Sequence, residues 1–136
     1  MVNEWTPVEL YGANNDGGKR RFTIGDSTAA SKGEILELAD PRTAKTVTAA
    51  GVPIAGVASE EHLPDVGVTN ISVWTDGIFE AVSSGAIVLG AGVQVGTVGN
   101  AVASFGQSAA VSGACMLGYC LETAADNETV NIRLKL

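Results

Sequence analysis

Between residues 46 and 132 the chain has no lysine and no arginine, although eight acidic side chains fall in that stretch. The basic residues are Lys19, Arg20, Arg21, Lys32, Arg42 and Lys45 near the start and Arg133 and Lys135 at the end, for a net charge of −7. Binding to a phosphate backbone without regard to sequence needs several Lys or Arg contacts. A body without cations over that length repels nucleic acid, so nucleic acid is excluded as a partner. No apolar run approaches the roughly 18 residues of a membrane-spanning helix, which predicts no membrane association. Met1-Val2-Asn3-Glu4-Trp5 lacks the basic and apolar regions of a secretory signal, so none is expected.

Residue types that carry chemistry are equally scarce. There is one histidine, His62, and there are two cysteines, Cys115 and Cys120. A zinc site needs three or four converging ligands, and no serine sits in a G-x-S-x-G elbow that could pair with His62. His62 is expected in solvent. The cysteines, five residues apart on an extended strand, would lie about 16 Å apart, too far for a disulfide. They are expected as small core residues. Ala13 to Arg20 resembles a phosphate loop superficially, but Ala13 replaces its first glycine and Arg20 replaces the Ser or Thr that reaches magnesium. Glu60, Glu61 and Asp65 read as a solvated acidic turn. No catalytic residue, cofactor or metal is predicted: the chain reads as a protein that binds, not an enzyme.

Aromatics amount to only 5%, so the core must be aliphatic and built largely of small residues. Trp74, Phe79 and Tyr119 are expected to anchor it. Seventeen glycines imply many turns and bulges. No window shows a 3.6-residue period. Short apolar runs separated by glycine turns predict a mainly β fold, a compact small barrel or sandwich. Ser59–Pro64 is expected as a single helical or 3₁₀ turn. Asp76-Gly77 between apolar runs predicts a hairpin, with a bulge in one longer strand as the alternative.

Two phrases echo one another. Gly33-Glu34-Ile35-Leu36, Ala55-Gly56-Val57-Ala58-Ser59-Glu60 and Asn70-Ile71-Ser72-Val73-Trp74 find their echo in Gly92-Val93-Gln94-Val95, Leu117-Gly118-Tyr119-Cys120-Leu121-Glu122 and Val130 to Leu136. Two pseudo-repeated β units are predicted within one domain, residues 22–136. Residues 1–21 read as an extended, flexible N-terminal arm. It is polar and glycine-rich, ends in Lys19-Arg20-Arg21, and carries Trp5 as a docking anchor. The alternative is an ordinary edge strand with Trp5 packed back on its own domain.

Gly33-x-Ile35-Leu36, Ile54-Ala55-Gly56-Val57-Ala58, Ile71 to Phe79, Leu117 to Glu122 and Val130-x-Ile132-x-Leu134 together resemble the capsid decoration, or cement, proteins of tailed bacteriophages, of the lambda-like head decoration type. The resemblance covers about residues 20–136. It implies a β-tulip-like domain that forms a homotrimer at threefold and quasi-threefold sites on the outer surface of the expanded virion head. There it would bind the major capsid protein and stabilise the shell. Trp5, Lys19, Arg20 and Arg21 would suit the capsid-binding role. The alternatives are a tail or fibre-base β trimer of a virion and a small carbohydrate-binding β-sandwich.

Overall fold

The computed structural model describes residues 3–12, 14–39, 42–96, 100–105 and 115–136. Among them the regular structure is nearly all β, as the glycine-punctuated apolar runs predict. β2 (Arg20–Ile24), β3 (Ile35–Ala39), β4 (Thr43–Thr46), β5 (Ile54–Ala58) and β6 (Asn70–Trp74) close into a barrel in the order β2-β4-β3-β5-β6. The second sheet runs β1-β7-β11-β10-β8-β9. It is formed by β1 (Thr6–Leu10), β7 (Asp76–Val82), β8 (Gly92–Val95), β9 (Val102–Ser104), β10 (Gly118–Cys120) and β11 (Thr129–Lys135).

The two units share one plan. β4-β3-β5-β6 are neighbours in the barrel just as β9-β8-β10-β11 are in the sheet, and β2 lies antiparallel to β6 as β7 does to β11. The correspondence extends to single hydrogen bonds. Gly33 N–H donates to Ala58 O at 2.8 Å, and Gly90 N–H to Cys120 O at 2.9 Å. Glu60 accepts the Ser72 amide and Glu122 the Asn131 amide, each at 3.0 Å. Isolated bridges join Ala30 to His62 and Ile87 to Ala124. Gly33 therefore matches Gly90, not Gly92 as the sequence suggests. The apolar alternation fits both alignments, and only the ladder distinguishes them.

The matched glycines have a steric reason. Gly56 and Gly118 both adopt φ of +156°, and a Cβ on Gly56 would stand 2.6 Å from Trp74 O. A Cβ on Gly118 would run into the Arg133 carbonyl. Trp74 and Arg133 occupy matched places, opposite Val57 and Tyr119.

The two cores also correspond. The barrel encloses Ile24, Ala30, Leu36, Ala44, Ala55, Ala58, Ile71 and Val73, with Phe22 against them. Ladder by ladder, their counterparts are Ser83, Ile87, Val93, Val102, Leu117, Cys120, Val130 and Ile132, with Ala81 in place of Phe22. Both cysteines are buried, as expected.

Several expectations are corrected. Trp5 is 2% exposed and Thr6–Leu10 pairs with β7, so residues 3–10 are part of the fold and not a free arm. The polar run of 11–21 masked a Trp whose large apolar area is best buried. Its regular pairing also begins at Arg20, inside the presumed arm. Asp76-Gly77 is neither hairpin nor bulge: β6 ends at Trp74 in the barrel, and β7 starts at Asp76 in the other sheet. Ser59–Pro64 forms no helical turn. His62 is 3% exposed, with Nδ1 2.6 Å from Thr28 O and Nε2 2.7 Å from Val68 O, because its bridge to Ala30 carries it inside the barrel wall. Trp74 and Phe79 are core residues with ring centroids 5.4 Å apart, but Tyr119 points outward from β10 and is exposed. The alanine stretch at 109–114 lies outside the described residues.

Candidate partner-binding groove

The cations of β2 are placed by strand alternation. Ile24 N–H donates to Thr69 O at 3.0 Å, toward β6, while Thr23 N–H donates to Arg42 O at 3.3 Å on the opposite edge. Side chains alternate between faces with the same period. Arg20, Phe22 and Ile24 therefore share the face toward the barrel interior, and burial falls along it: Ile24 is buried, Phe22 half-buried and Arg20 exposed at the rim.

At this rim opens a groove of about 560 Å³. Phe22, Leu38, Ile54 and Leu136 give it an apolar floor, and Arg20 and Arg42 stand at its edges. The Arg42 guanidinium lies 5.9 Å from the centroid of the Phe22 ring, within the range of a cation–π contact. A smaller recess of about 380 Å³ continues past Arg20 to Lys19, Asp16 and Asp76. No described carboxylate is within ion-pair distance of Lys19, Arg20 or Arg42. Other cations are engaged: Lys45 lies 3.7 Å from Glu37, and Arg133 lies 2.5 Å from Asp76 and 4.5 Å from the Tyr11 ring centroid. An acidic protein thus sets three cations without a described carboxylate partner beside an apolar groove.

Of the four residues that sequence reasoning singled out, Lys19 and Arg20 line this groove and its recess. Arg21 is exposed on the opposite face of β2, where its Nη1 donates to Asn70 Oδ1 at 2.9 Å. Trp5 is elsewhere, buried in the second unit with its ring centroid 5.8 Å from that of Phe79. Arg42, Phe22 and Leu38 were missed as site residues. The Arg20-Phe22-Ile24 alternation was a usable signal for Phe22. Arg42 reaches the site only through the parallel pairing of β2 with β4, Thr23 opposite Thr43, which no local pattern announces.

The groove has the chemistry of a binding surface: an apolar floor for a large side chain and guanidinium groups for carboxylates. No group of three or more His, Cys, Asp or Glu among the described residues could hold a metal ion.

No family model matches the chain, and no curated protein matches its sequence. Its fold is similar to that of the head fiber gp8.5 N base in bacteriophage phi29, with a TM-score of 0.54 at 12% identity, covering 86% of this chain and 94% of that one. At that identity the likeness is one of fold: this chain is built like the base of a phage head fibre.

Proposed function

We propose that the chain is a structural protein of a phage virion that binds the outside of the head, and that its role is binding rather than catalysis. The observation that carries this reading is the fold shared with a head fibre base over most of both chains. The resemblance of its glycine and apolar phrases to capsid decoration proteins points to the same location. In the finer reading, a homotrimer occupies threefold and quasi-threefold sites of the expanded shell, grips the major capsid protein and stabilises the shell against internal pressure. Three linked copies gain avidity for a repeating lattice without tight single contacts. The second reading, favoured by the phi29 likeness, is a fibre base that seats an appendage on the head.

Mixing the purified protein with expanded heads separates the two. Occupancy of every threefold and quasi-threefold position, together with a raised heat resistance of the heads, supports the cement role. Sparse occupancy without stabilisation supports the fibre base. Absence of co-sedimentation with heads, at any concentration short of aggregation, sinks both.

A further inference from the structure

The two units differ in what fills one matched place. In the second unit, β1 lies along the edge of β7, with Thr6 opposite Glu80, Pro7 opposite Phe79 and Glu9 opposite Ile78. Just ahead of it, Trp5 enters the mouth of that unit. Its ring packs on Phe79, and its Nε1–H donates to Asn100 O at 3.3 Å. Asn100 Nδ2 holds the incoming chain by donating to Asn3 O at 2.7 Å. An extended segment with an aromatic anchor thus completes the second unit.

In the barrel, the counterparts of Phe79 and Asn100 are Arg20 and Arg42. Arg20 faces Val73 as Phe79 faces Ile132. Arg42 and Asn100 precede the matched strands β4 and β9, and both have positive φ, 44° and 60°. The barrel mouth at this place is the groove itself. The edge of β2 that corresponds to the β1 side of β7 belongs to Lys19 and Arg21. Their amides and carbonyls alternate away from β6, in phase with Thr23, whose partner on that side is Arg42 O. No strand pairs with this edge at Lys19–Arg21 among the described residues. An unpaired edge beside an apolar pocket is the arrangement by which extended peptides add to sheets.

We propose that the Lys19–Arg21 edge and the groove of Phe22, Leu38 and Ile54 receive an extended segment of a partner protein, one that carries an aromatic anchor flanked by carboxylates. The segment lies on β2 as β1 lies on β7. Its anchor enters the groove as Trp5 enters the second mouth, and its carboxylates meet Lys19, Arg20 and Arg42, which replace the uncharged Ile78, Phe79 and Asn100. The cations are what distinguish this mouth from the one the chain fills itself, and they select an acidic donor. The assignment of the donor to a shell subunit rests on the proposed virion role; the groove's preference for such a segment does not.

A synthetic peptide of the chain's own residues 3–10, Asn-Glu-Trp-Thr-Pro-Val-Glu-Leu, is the probe. Placed in the matched register, it sets its second glutamate opposite Lys19. Titrated into the isotope-labelled full chain, it is expected to shift the amide signals of Lys19 to Phe22, Leu38, Ala39 and Arg42 saturably. Replacing its tryptophan by alanine should weaken binding about tenfold or more, as loss of a central aromatic anchor does. The R20E/R42E double variant, its fold verified by the remaining amide signals, should weaken it similarly and remove most of the salt dependence. If that variant does not fold, the peptide substitution alone decides. No groove shifts at millimolar peptide, or shifts confined to β1 and β7 because the peptide merely exchanges with the chain's own strand, overturn the proposal. Self-association of the free chain that Arg20→Glu abolishes would give the groove to a second copy, and would also overturn it. No heads are used, so failure here leaves the head-binding role standing, and failure to bind heads leaves the groove standing.

Discussion

The barrel of β2 to β6 and the sheet unit of β7 to β11 are two solutions to one strand plan, and they differ in how they are closed and filled. In the barrel, β2 reaches β4 and pairs in parallel through Thr23 and Ile24. In the second unit the matching contact is a single bridge, Ser83 to Val102, and β1 takes up the rest of the β7 edge. The interiors follow. Four inward positions are alanine in the barrel, Ala30, Ala44, Ala55 and Ala58, where the second unit has Ile87, Val102, Leu117 and Cys120. A fully closed five-stranded barrel leaves little room between its walls, so small residues fill it. The opened unit needs larger ones, and Trp5 besides. The lesson is that closure and side-chain volume are exchanged for one another, and that the unit which closes itself is the one whose mouth no described residue fills.

The comparison can be broken most sharply at Trp5. Trp5→Ala empties the mouth of the second unit and is expected to cost about 3–5 kcal/mol, the usual range for a buried aromatic, measured by denaturant unfolding. Unchanged stability would mean that Trp5 is not part of the core. Next come the matched interior positions. Leu117→Ala should cost about 2–5 kcal/mol by leaving a cavity, and Ala55→Leu, which writes the second unit's residue into the barrel, about 1–3 kcal/mol by overpacking. If the Leu variant is tolerated without loss, the barrel is not the tighter unit. The glycine pair sharpens this further. Gly118→Ala drives its Cβ into the Arg133 carbonyl, and Gly56→Ala into a looser contact with Trp74 O. Both should destabilise by about 1–3 kcal/mol, Gly118→Ala by the larger amount.

The smallest effect is at Glu34, which stands where the second unit has Ala91. Burial pushes its carboxyl above the ordinary carboxylate value, although the Ser31 amide, donating to it at 3.0 Å, opposes the shift. A raised value in the folded state means that the folded chain holds more protons than the unfolded one in that window. Stability is then full below about pH 4.3 and falls as pH rises through the raised value. Glu34→Gln should remove that decline, which unfolding curves between pH 4 and pH 7 (roughly the span of carboxylate titration) would show. An unchanged pH profile would refute the assignment.

Much of this was legible in the chain. The β class followed from apolar runs too short for helices and from the glycines between them. The repeat was visible because the same steric demand recurs: a glycine where one strand crosses close to another's backbone, then a glutamate that accepts an amide of the next strand. Its register was not visible, since Gly33 and Gly92 satisfy the same alternation, and only the bond from Gly90 N–H to Cys120 O resolves them. Lys19 and Arg20 were legible as a candidate binding element because residues 46–132 have no cation to offer. Arg42 was not, because its place depends on a parallel pairing of strands that are far apart in sequence. Trp5 and His62 were misplaced for a common reason. Each sits in a polar stretch, and its burial is decided by what packs on it from elsewhere: Phe79 and Asn100 for Trp5, Thr28 and Val68 for His62.

The sequence by itself determined the all-β plan, its doubling and the separation of charge, because strand period, glycine sterics and ionisation are local properties of residues. Tertiary structure alone decided which unit closes, which mouth Trp5 fills and which mouth no described residue fills beside Arg20 and Arg42. Those outcomes depend on non-local pairing and on the volume left between walls, and neither is encoded at any single position.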